Sequence, residues 1–160
     1  MFHRNFRPDG KGRFRPRLSP EERDILRSLP LQARDLLVQD DPLTGRLFPV
    51  AYPGDPAAQE DYRNLMGSEL LGSHQAALDT MAATIDAETI DEEDLRAWLG
   101  GLEILRLVLG TQLDVTEEMD PFPPNDPRAM HQAVYGYLSS LQNEVVDALA
   151  TLLPDGGTDD

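Results

Sequence analysis

The sequence predicts a mainly α-helical fold, a single helical-bundle domain of about five helices with a short N-terminal β-hairpin. Three pairs of a capping residue and a proline, Ser19-Pro20, Asp55-Pro56 and Asp126-Pro127, mark helix starts. After these pairs, apolar residues recur every three or four positions, which is the helical period. The 160 residues are 40% hydrophobic and include no Cys, so we expect one core that forms without disulfides.

The N-terminal segment has the pattern of a β-hairpin. Residues 7–12 read RPDGKG, a cluster of turn-forming residues in which Asp-Gly can supply a tight connection. Beyond this turn, arginines alternate with Phe14, Pro16 and Leu18, which is the period of two of a strand. Because Pro16 has no N–H to donate to a ladder, the second strand is predicted to be an edge strand.

The first helix is predicted to begin at Pro20. Ser19 stands at the N-cap and Glu22 three residues later, which is the pattern of a capping box. An interior proline removes a backbone hydrogen bond, so we expect Pro30 to end or kink this helix before it resumes over 31–38.

Residues 39–55 hold three prolines and two glycines, which predicts a long irregular connection with one helical turn around 46–48. The next helix is predicted over 56–66. Gly67-Ser68 is expected either to kink it or to separate it from a further segment over 68–85.

The most apolar helix is predicted over 92–113 with Asp91 as its cap. Its apolar residues nearly surround the helix, which indicates the central position of the bundle. The last helix is predicted from Asp126-Pro127 to about Leu153, and its buried seam is predicted to comprise Met130, Val134, Tyr137, Leu141, Val145, Ala148 and Leu152.

These boundaries divide the chain into three parts. Residues 1–18 are expected to form a basic hairpin or arm, 19–153 the helical domain, and 154–160 a disordered polar tail. The seam of the last helix is about as wide as one bundle requires, so we expect a monomer, with a homodimer through this helix as the alternative.

The charge is unevenly distributed along the chain. The formal net charge is −15, but residues 1–17 hold six basic side chains against Asp9 alone, and residues 18–160 hold eight basic and 28 acidic ones. The resulting charge of −20 on the helical part repels phosphate backbones within a Debye length of about 8 Å. We therefore expect a basic protein surface as partner, and nucleic acid only through residues 1–17.

The motifs of common enzymes and metal sites are missing from the sequence. There is no nucleophile elbow, phosphate loop, zinc-helix motif or calcium-loop spacing, and no His follows a Glu at the spacing of di-iron bundles. We expect a non-enzymatic protein without metal or cofactor. No signal peptide or membrane span is apparent, which predicts a cytoplasmic protein.

Two sets of residues are candidates for function. Arg13, Arg15 and Arg17 form one face of the predicted hairpin, and their role is phosphate contact, docking on the chain's own acidic body, or contact with an acidic partner. The second set comprises Arg46, Phe48 and Tyr52 of the proline-rich connection, together with Arg106 of the central helix. These residues are expected either to stabilise the fold or to bind a partner. For Arg106 the structural partner is expected to be Glu103, three residues earlier.

Four segments in the same order resemble an actinobacterial family long known only as a domain of unknown function. The family is linked to the oxidative-stress regulator AosR and is commonly encoded beside the ClpS proteolytic adaptor. The similarity covers residues 13–150. The segments are Leu18–Arg23, Leu26–Pro30, Arg46–Pro49 with Ala51–Pro53, and Trp98–Leu99 leading to Leu105–Thr111.

This resemblance implies a regulator that acts in transcription through protein contacts, with a sigma factor or RNA polymerase as partner. The gene neighbourhood typical of the family implies an alternative, an accessory or adaptor protein of Clp-type proteolysis. Direct DNA binding through the arginine-rich hairpin is the third possibility. Because the chain has no Cys, it cannot sense oxidants through a thiol of its own.

Overall fold

A computed structural model describes residues 5–39, 41, 43, 47, 50–113 and 120–153. Within these residues the chain forms four helices and one three-stranded antiparallel sheet. In chain order the elements are β1 (Phe6–Pro8), β2 (Arg13–Pro16), α1 (Pro20–Val38), α2 (Pro56–Ala83), β3 (Ile90–Asp91), α3 (Glu92–Leu113) and α4 (Arg128–Ala150).

Helix α3 is the central element, as its composition predicts. It packs against α1, α2 and α4. Its buried residues cover most of the helix circumference and leave one polar strip, which includes the exposed Arg96 and Glu103, because three helices pack around it. They are Leu95, Trp98, Gly101, Leu102, Ile104, Leu105, Val108, Leu109, Gly110 and Leu113.

The sheet closes one end of this bundle. Its strand order is β1-β2-β3, and Phe6 and Phe14 point inward and are almost completely buried. The ring of Phe6 meets the ring of Trp98 edge to face, with centroids 5.4 Å apart. The hairpin therefore shares its core with the helices.

The prediction that β2 is an edge strand is wrong. β2 lies between β1 and β3, and β3 pairs only with Arg13 and Phe14. On the β1 side Pro16 stands opposite Phe6. The next pair, Arg17 and Asn5, is hydrogen-bonded through the Arg17 N–H and the Asn5 carbonyl. Because hydrogen-bonded and non-hydrogen-bonded pairs alternate in an antiparallel ladder, the Pro16–Phe6 pair is a non-hydrogen-bonded one. No ladder bond on either side requires a donor at Pro16, which removes the objection to a central position.

The expected end of the first helix at Pro30 is also wrong. α1 runs unbroken from Pro20 to Val38 with Pro30 buried inside it. Buried residues lie on both sides of the proline, Leu26 before it and Ala33 and Leu37 after it. Burial of this stripe against the bundle compensates for the lost backbone hydrogen bond.

Helix α2 is likewise continuous through Gly67-Ser68, so the structure has four helices where about five were predicted. A glycine inside a helix costs about 1 kcal/mol, which the rest of a 28-residue helix can absorb. The C-terminal half of α2 packs on α3 and buries Leu78 and Met81, which fixes its course.

The last helix begins at Arg128, one residue after the predicted start at Pro127, and ends at Ala150; the prediction of Asp126 as its cap is wrong, because Pro127 is the N-cap and no side chain caps it. Its seam is predicted in part. Leu141, Val145 and Ala148 are buried, but Met130 is 73% exposed and Leu138, absent from the predicted seam, is completely buried. Met130 lies in the first turn, before the helix reaches the centre of α3.

The predicted caps are present at three helices. Ser19 and Glu22 form the reciprocal capping box of α1, and the Asp55 carboxylate accepts from the Ala58 N–H. At α3 the Asp91 carboxylate accepts from the Asp94 N–H at 2.8 Å. Glu22 has a second contact, because its other oxygen accepts from the Tyr137 hydroxyl at 2.7 Å and so joins α1 to α4.

Candidate functional site

The candidate arginines of the hairpin lie together on the outer face of the sheet. Arg13, Arg15 and Arg17 are all exposed, because Phe14, Pro16 and Leu18 of opposite parity turn inward. Arg7 joins them from β1 and stands directly opposite Arg15 in the ladder. We call the side chains Arg7, Arg13, Arg15 and Arg17 the arginine face.

Among the described residues, none of these four arginines forms an ion pair. The described ion pairs all use arginines of α1, α3 and α4. The neighbouring carboxylate of Asp9 is held by the turn. Its pKa is lowered mainly by the hydrogen bond from the Lys11 N–H, with lesser contributions from the Arg13 N–H and from the charges of Arg15 and Lys11.

Arg106 lies in the contact between α3 and α4 and is only 27% exposed. The expected pairing with Glu103 is confirmed at 3.6 Å. Two further partners come from α4: Ser139 accepts from the Arg106 Nε at 2.9 Å, and Gln142 accepts from its Nη1. The guanidinium also lies 5.4 Å from the centroid of the Tyr135 ring. These contacts tie two helices together and leave little of the charge for an external ligand.

Tyr52 lies at the surface beside the first half of α2. It is 48% exposed and its ring meets that of Tyr62 edge to face at 6.0 Å. Its N–H and that of Ala51 both donate to the side-chain oxygen of Gln59 at 2.9 Å, which fixes the segment on α2. Arg46 and Phe48, the other candidates of this connection, lie outside the described residues.

The structure adds apolar residues to Tyr52 that the sequence pattern did not single out. Tyr62 is followed at helical spacing by Leu65 and Met66, which are 76% and 39% exposed, and Val50 is 65% exposed. The spacing of three and four residues from Tyr62 places Leu65 and Met66 on the same face of α2. Spacing alone does not show whether such an apolar face is buried or exposed. We call Val50, Tyr52, Tyr62, Leu65 and Met66 the tyrosine–leucine patch.

The stretch of α2 that carries this patch is mainly acidic. Glu60 and Asp61 precede Tyr62, Glu69 follows Met66, and Arg63 is the single arginine of the helix. We call these three carboxylates the acidic border of the patch. The patch lies far from the arginine face, because Leu65 precedes the sheet-proximal end of α2 at Ala83 by about 27 Å of helix.

A small apolar cleft lies between α1, α3 and α4. Its volume is about 110 Å³, and Leu29, Leu105 and Leu138 line its interior, whereas Gln112 and His131 are exposed at its mouth. The cleft offers dispersion contacts to an apolar group rather than an arrangement of reactive groups.

The described part of the chain contains neither a candidate metal site nor a membrane-spanning helix. No group of three His, Asp or Glu side chains is placed so as to hold a metal ion. None of the helices in these residues is both long enough and apolar enough to cross a bilayer.

The fold and these surfaces define a class: a small helical bundle, capped by a basic three-stranded sheet, that presents one cationic face and one acid-bordered apolar patch. Within this class the chain belongs to the family described as "Domain of unknown function (DUF2017)", whose model matches residues 3–149. This agrees with the family that the four sequence segments indicate.

Curated relatives are mycobacterial proteins. The chain is 30% identical over 103 residues, 61% of its length, to proteins of Mycobacterium bovis and Mycobacterium tuberculosis named "Oxidative stress regulator AosR". A Mycobacterium leprae protein that carries the same AosR name is 28% identical over 135 residues, 81% of this chain. The matched regions are 47% and 59% of those proteins, so the chain spans about half the length of these relatives. No solved structure matches the chain.

Proposed function

We propose that this chain is a non-enzymatic regulatory protein of the oxidative-stress type that acts in transcription by binding a sigma factor or RNA polymerase. The observation that carries the proposal is the tyrosine–leucine patch, a group of exposed apolar side chains on α2 and on the segment that precedes it, in which Tyr52 packs on Tyr62. The names of the mycobacterial relatives support a regulatory role.

The patch has the composition of a protein-binding surface. Tyrosine and methionine are enriched at interfaces, where they bury large areas and tolerate a polar rim. Leu65, which is 76% exposed on a helix, gains nothing from the fold and would gain from a partner. Exposed apolar residues scattered singly are ordinary, but here Tyr62, Leu65 and Met66 share one face of α2 and Tyr52 packs on Tyr62.

The acidic border selects a basic partner. α2 carries four carboxylates and one arginine, so its surface repels anionic surfaces and attracts cationic ones. Sigma factors and polymerase surfaces that engage DNA are basic, which makes them the natural partners for this end of the molecule. Because the chain has no Cys, oxidant sensing by a thiol lies with the partner in this proposal.

Affinity purification with matched surface variants tests the proposal. Leu65→Glu places a charge in the patch, and Val146→Glu places the same charge at a 48% exposed apolar residue of α4. Both positions are exposed, so both variants should fold. We expect wild type and Val146→Glu to retain polymerase or sigma subunits from an actinobacterial lysate, and Leu65→Glu to lose them.

A binding measurement with purified components completes the test. Biolayer interferometry with RNA polymerase holoenzyme should show affinity at least about tenfold weaker for Leu65→Glu than for Val146→Glu. Equal binding by the two variants would contradict a role for the patch. Retention of Clp subunits in place of polymerase would overturn the transcriptional proposal in favour of the proteolytic adaptor.

A further inference from the structure

We propose that the arginine face is a second binding site, which takes a short extended acidic segment of a protein partner. This site stands apart from the tyrosine–leucine patch and does not depend on the function proposed for it. The folded chain offsets the four positive charges only in part: the Asp9 carboxylate interacts with the charge of Arg15, and none of the four arginines forms an ion pair with a described residue.

The geometry of the face follows from the hairpin register. Arg13, Arg15 and Arg17 succeed one another at the two-residue repeat of a strand, about 7 Å apart. Arg7 lies across the ladder from Arg15 at the spacing of neighbouring strands, about 5 Å. The four guanidinium groups thus occupy a surface about 14 Å long and two strands wide, supported from below by Phe6 and Phe14.

This arrangement is unfavourable in the isolated chain. Like charges directly opposite each other on a sheet destabilise it, and Arg7 and Arg15 are such a pair. On the β3 side of β2, Asp91 stands opposite Arg13. The Asp91 carboxylate accepts from the Asp94 N–H at the start of α3 and forms no ion pair with Arg13. A ligand that brings carboxylates to the face would relieve this repulsion.

The surroundings favour a short acidic segment over nucleic acid. Carboxylates border the face on both sides: Asp91 ends β3 and is followed by Glu92 and Glu93 of α3, and Glu144 of α4 accepts from the backbone and side-chain amides of Asn5 beside β1. A phosphate backbone that continued past the face would approach these carboxylates within a Debye length of about 8 Å. A peptide with a few acidic residues can end within the face.

The spacing of the arginines also matches such a peptide. In an extended chain, alternate side chains point the same way and repeat every 7 Å or so, as Arg13, Arg15 and Arg17 do. Each guanidinium can then hold one carboxylate through two parallel hydrogen bonds, an arrangement that Lys cannot reproduce.

Fluorescence anisotropy with defined probes tests this site on the full chain. The probes are a labelled peptide of about twelve residues in which Glu and Thr alternate, and a labelled oligothymidylate of equal charge. In low salt we expect the peptide to bind and the double variant Arg7→Gln/Arg15→Gln to bind it about tenfold more weakly. The control Arg63→Gln/Arg128→Gln changes the net charge equally at sites away from the face and should alter affinity by less than about twofold.

Two further readouts separate the outcomes. Arg15→Lys keeps the charge but loses the two-pronged contact, so it should weaken peptide binding several-fold. Circular dichroism of each variant shows whether it is folded. The substituted residues Arg7, Arg15, Arg63 and Arg128 are all exposed, so the variants are expected to fold. The proposal is overturned if the peptide fails to bind wild type, if the control weakens binding as much as the double variant, or if oligothymidylate binds more tightly than the peptide.

Discussion

Replacement of Thr84 by Val is expected to destabilise the fold by about 1–3 kcal/mol, because it leaves the indole N–H of Trp98 without an acceptor. The Trp98 side chain is completely buried, and its Nε1 donates to the Thr84 hydroxyl oxygen at 2.7 Å. The same hydroxyl donates to the Thr80 carbonyl at 2.7 Å at the end of α2. Valine has nearly the shape of threonine, so the effect comes from the hydrogen bonds rather than from a cavity.

Urea unfolding followed by tryptophan fluorescence measures this effect directly, since Trp98 is the chain's single tryptophan. With a slope of about 2 kcal/mol per M, the midpoint should fall by about 0.5–1.5 M. Thr84→Ser keeps the hydroxyl and serves as the control, with a smaller loss. A cycle with Trp98→Phe, followed by circular dichroism, should give a coupling free energy of about 1 kcal/mol or more. A Val variant as stable as wild type, or a Ser variant equally destabilised, would refute the reasoning.

Two other predictions concern packing and pH. Gly101→Ala should destabilise the protein by about 1–3 kcal/mol, because the new Cβ would lie 2.9 Å from the buried sulfur of Met81, whereas Gly136→Ala meets nothing within 4 Å and should stabilise α4 by about 0.5–1 kcal/mol. Thermal unfolding measures both, and shifts of the same sign would contradict the prediction. Burial, with a further contribution from the hydrogen bond to Glu22, raises the pKa of Tyr137 far above its ordinary 10.0. The contribution of the neutral phenol to the free energy of unfolding should therefore be fully present below pH 10 and decrease as the pH rises above 10. The phenolate absorbance of wild type minus Tyr137→Phe follows this ionisation, and a midpoint near 10 in the folded protein would disprove the linkage.

The helix starts were predictable because a cap is a matter of a few neighbouring residues. Ser19 and Glu22 satisfy the first backbone N–H groups of α1 whatever the rest of the chain does. The continuity of the helices was not predictable in this way. Whether Pro30 or Gly67 interrupts a helix depends on the packing on either side, which local sequence does not contain.

The candidate site was predictable to a similar extent. Alternation along one strand was enough to place Arg13, Arg15 and Arg17 on a common face, because the period of a strand is two. The partners of Arg106 on α4 could not be predicted in this way, because they lie more than thirty residues away in the chain. The exposure of Leu65 depends on how far α1 and α3 extend along α2, which no residue near Leu65 encodes.

The pairing of β2 with β3 has a consequence for the order in which the chain folds. Arg13 and Phe14 meet Asp91 and Ile90 only after α1 and α2 have been made, so this pairing closes a loop of more than seventy residues. Contacts of this separation form late and slow the folding of a domain. During synthesis on the ribosome, the hairpin precedes α1 and α2, and β3 emerges only after both of these helices. The sheet that carries the arginine face therefore cannot be complete before residue 91 has emerged, and a partner that binds the ordered sheet would not engage shorter nascent chains.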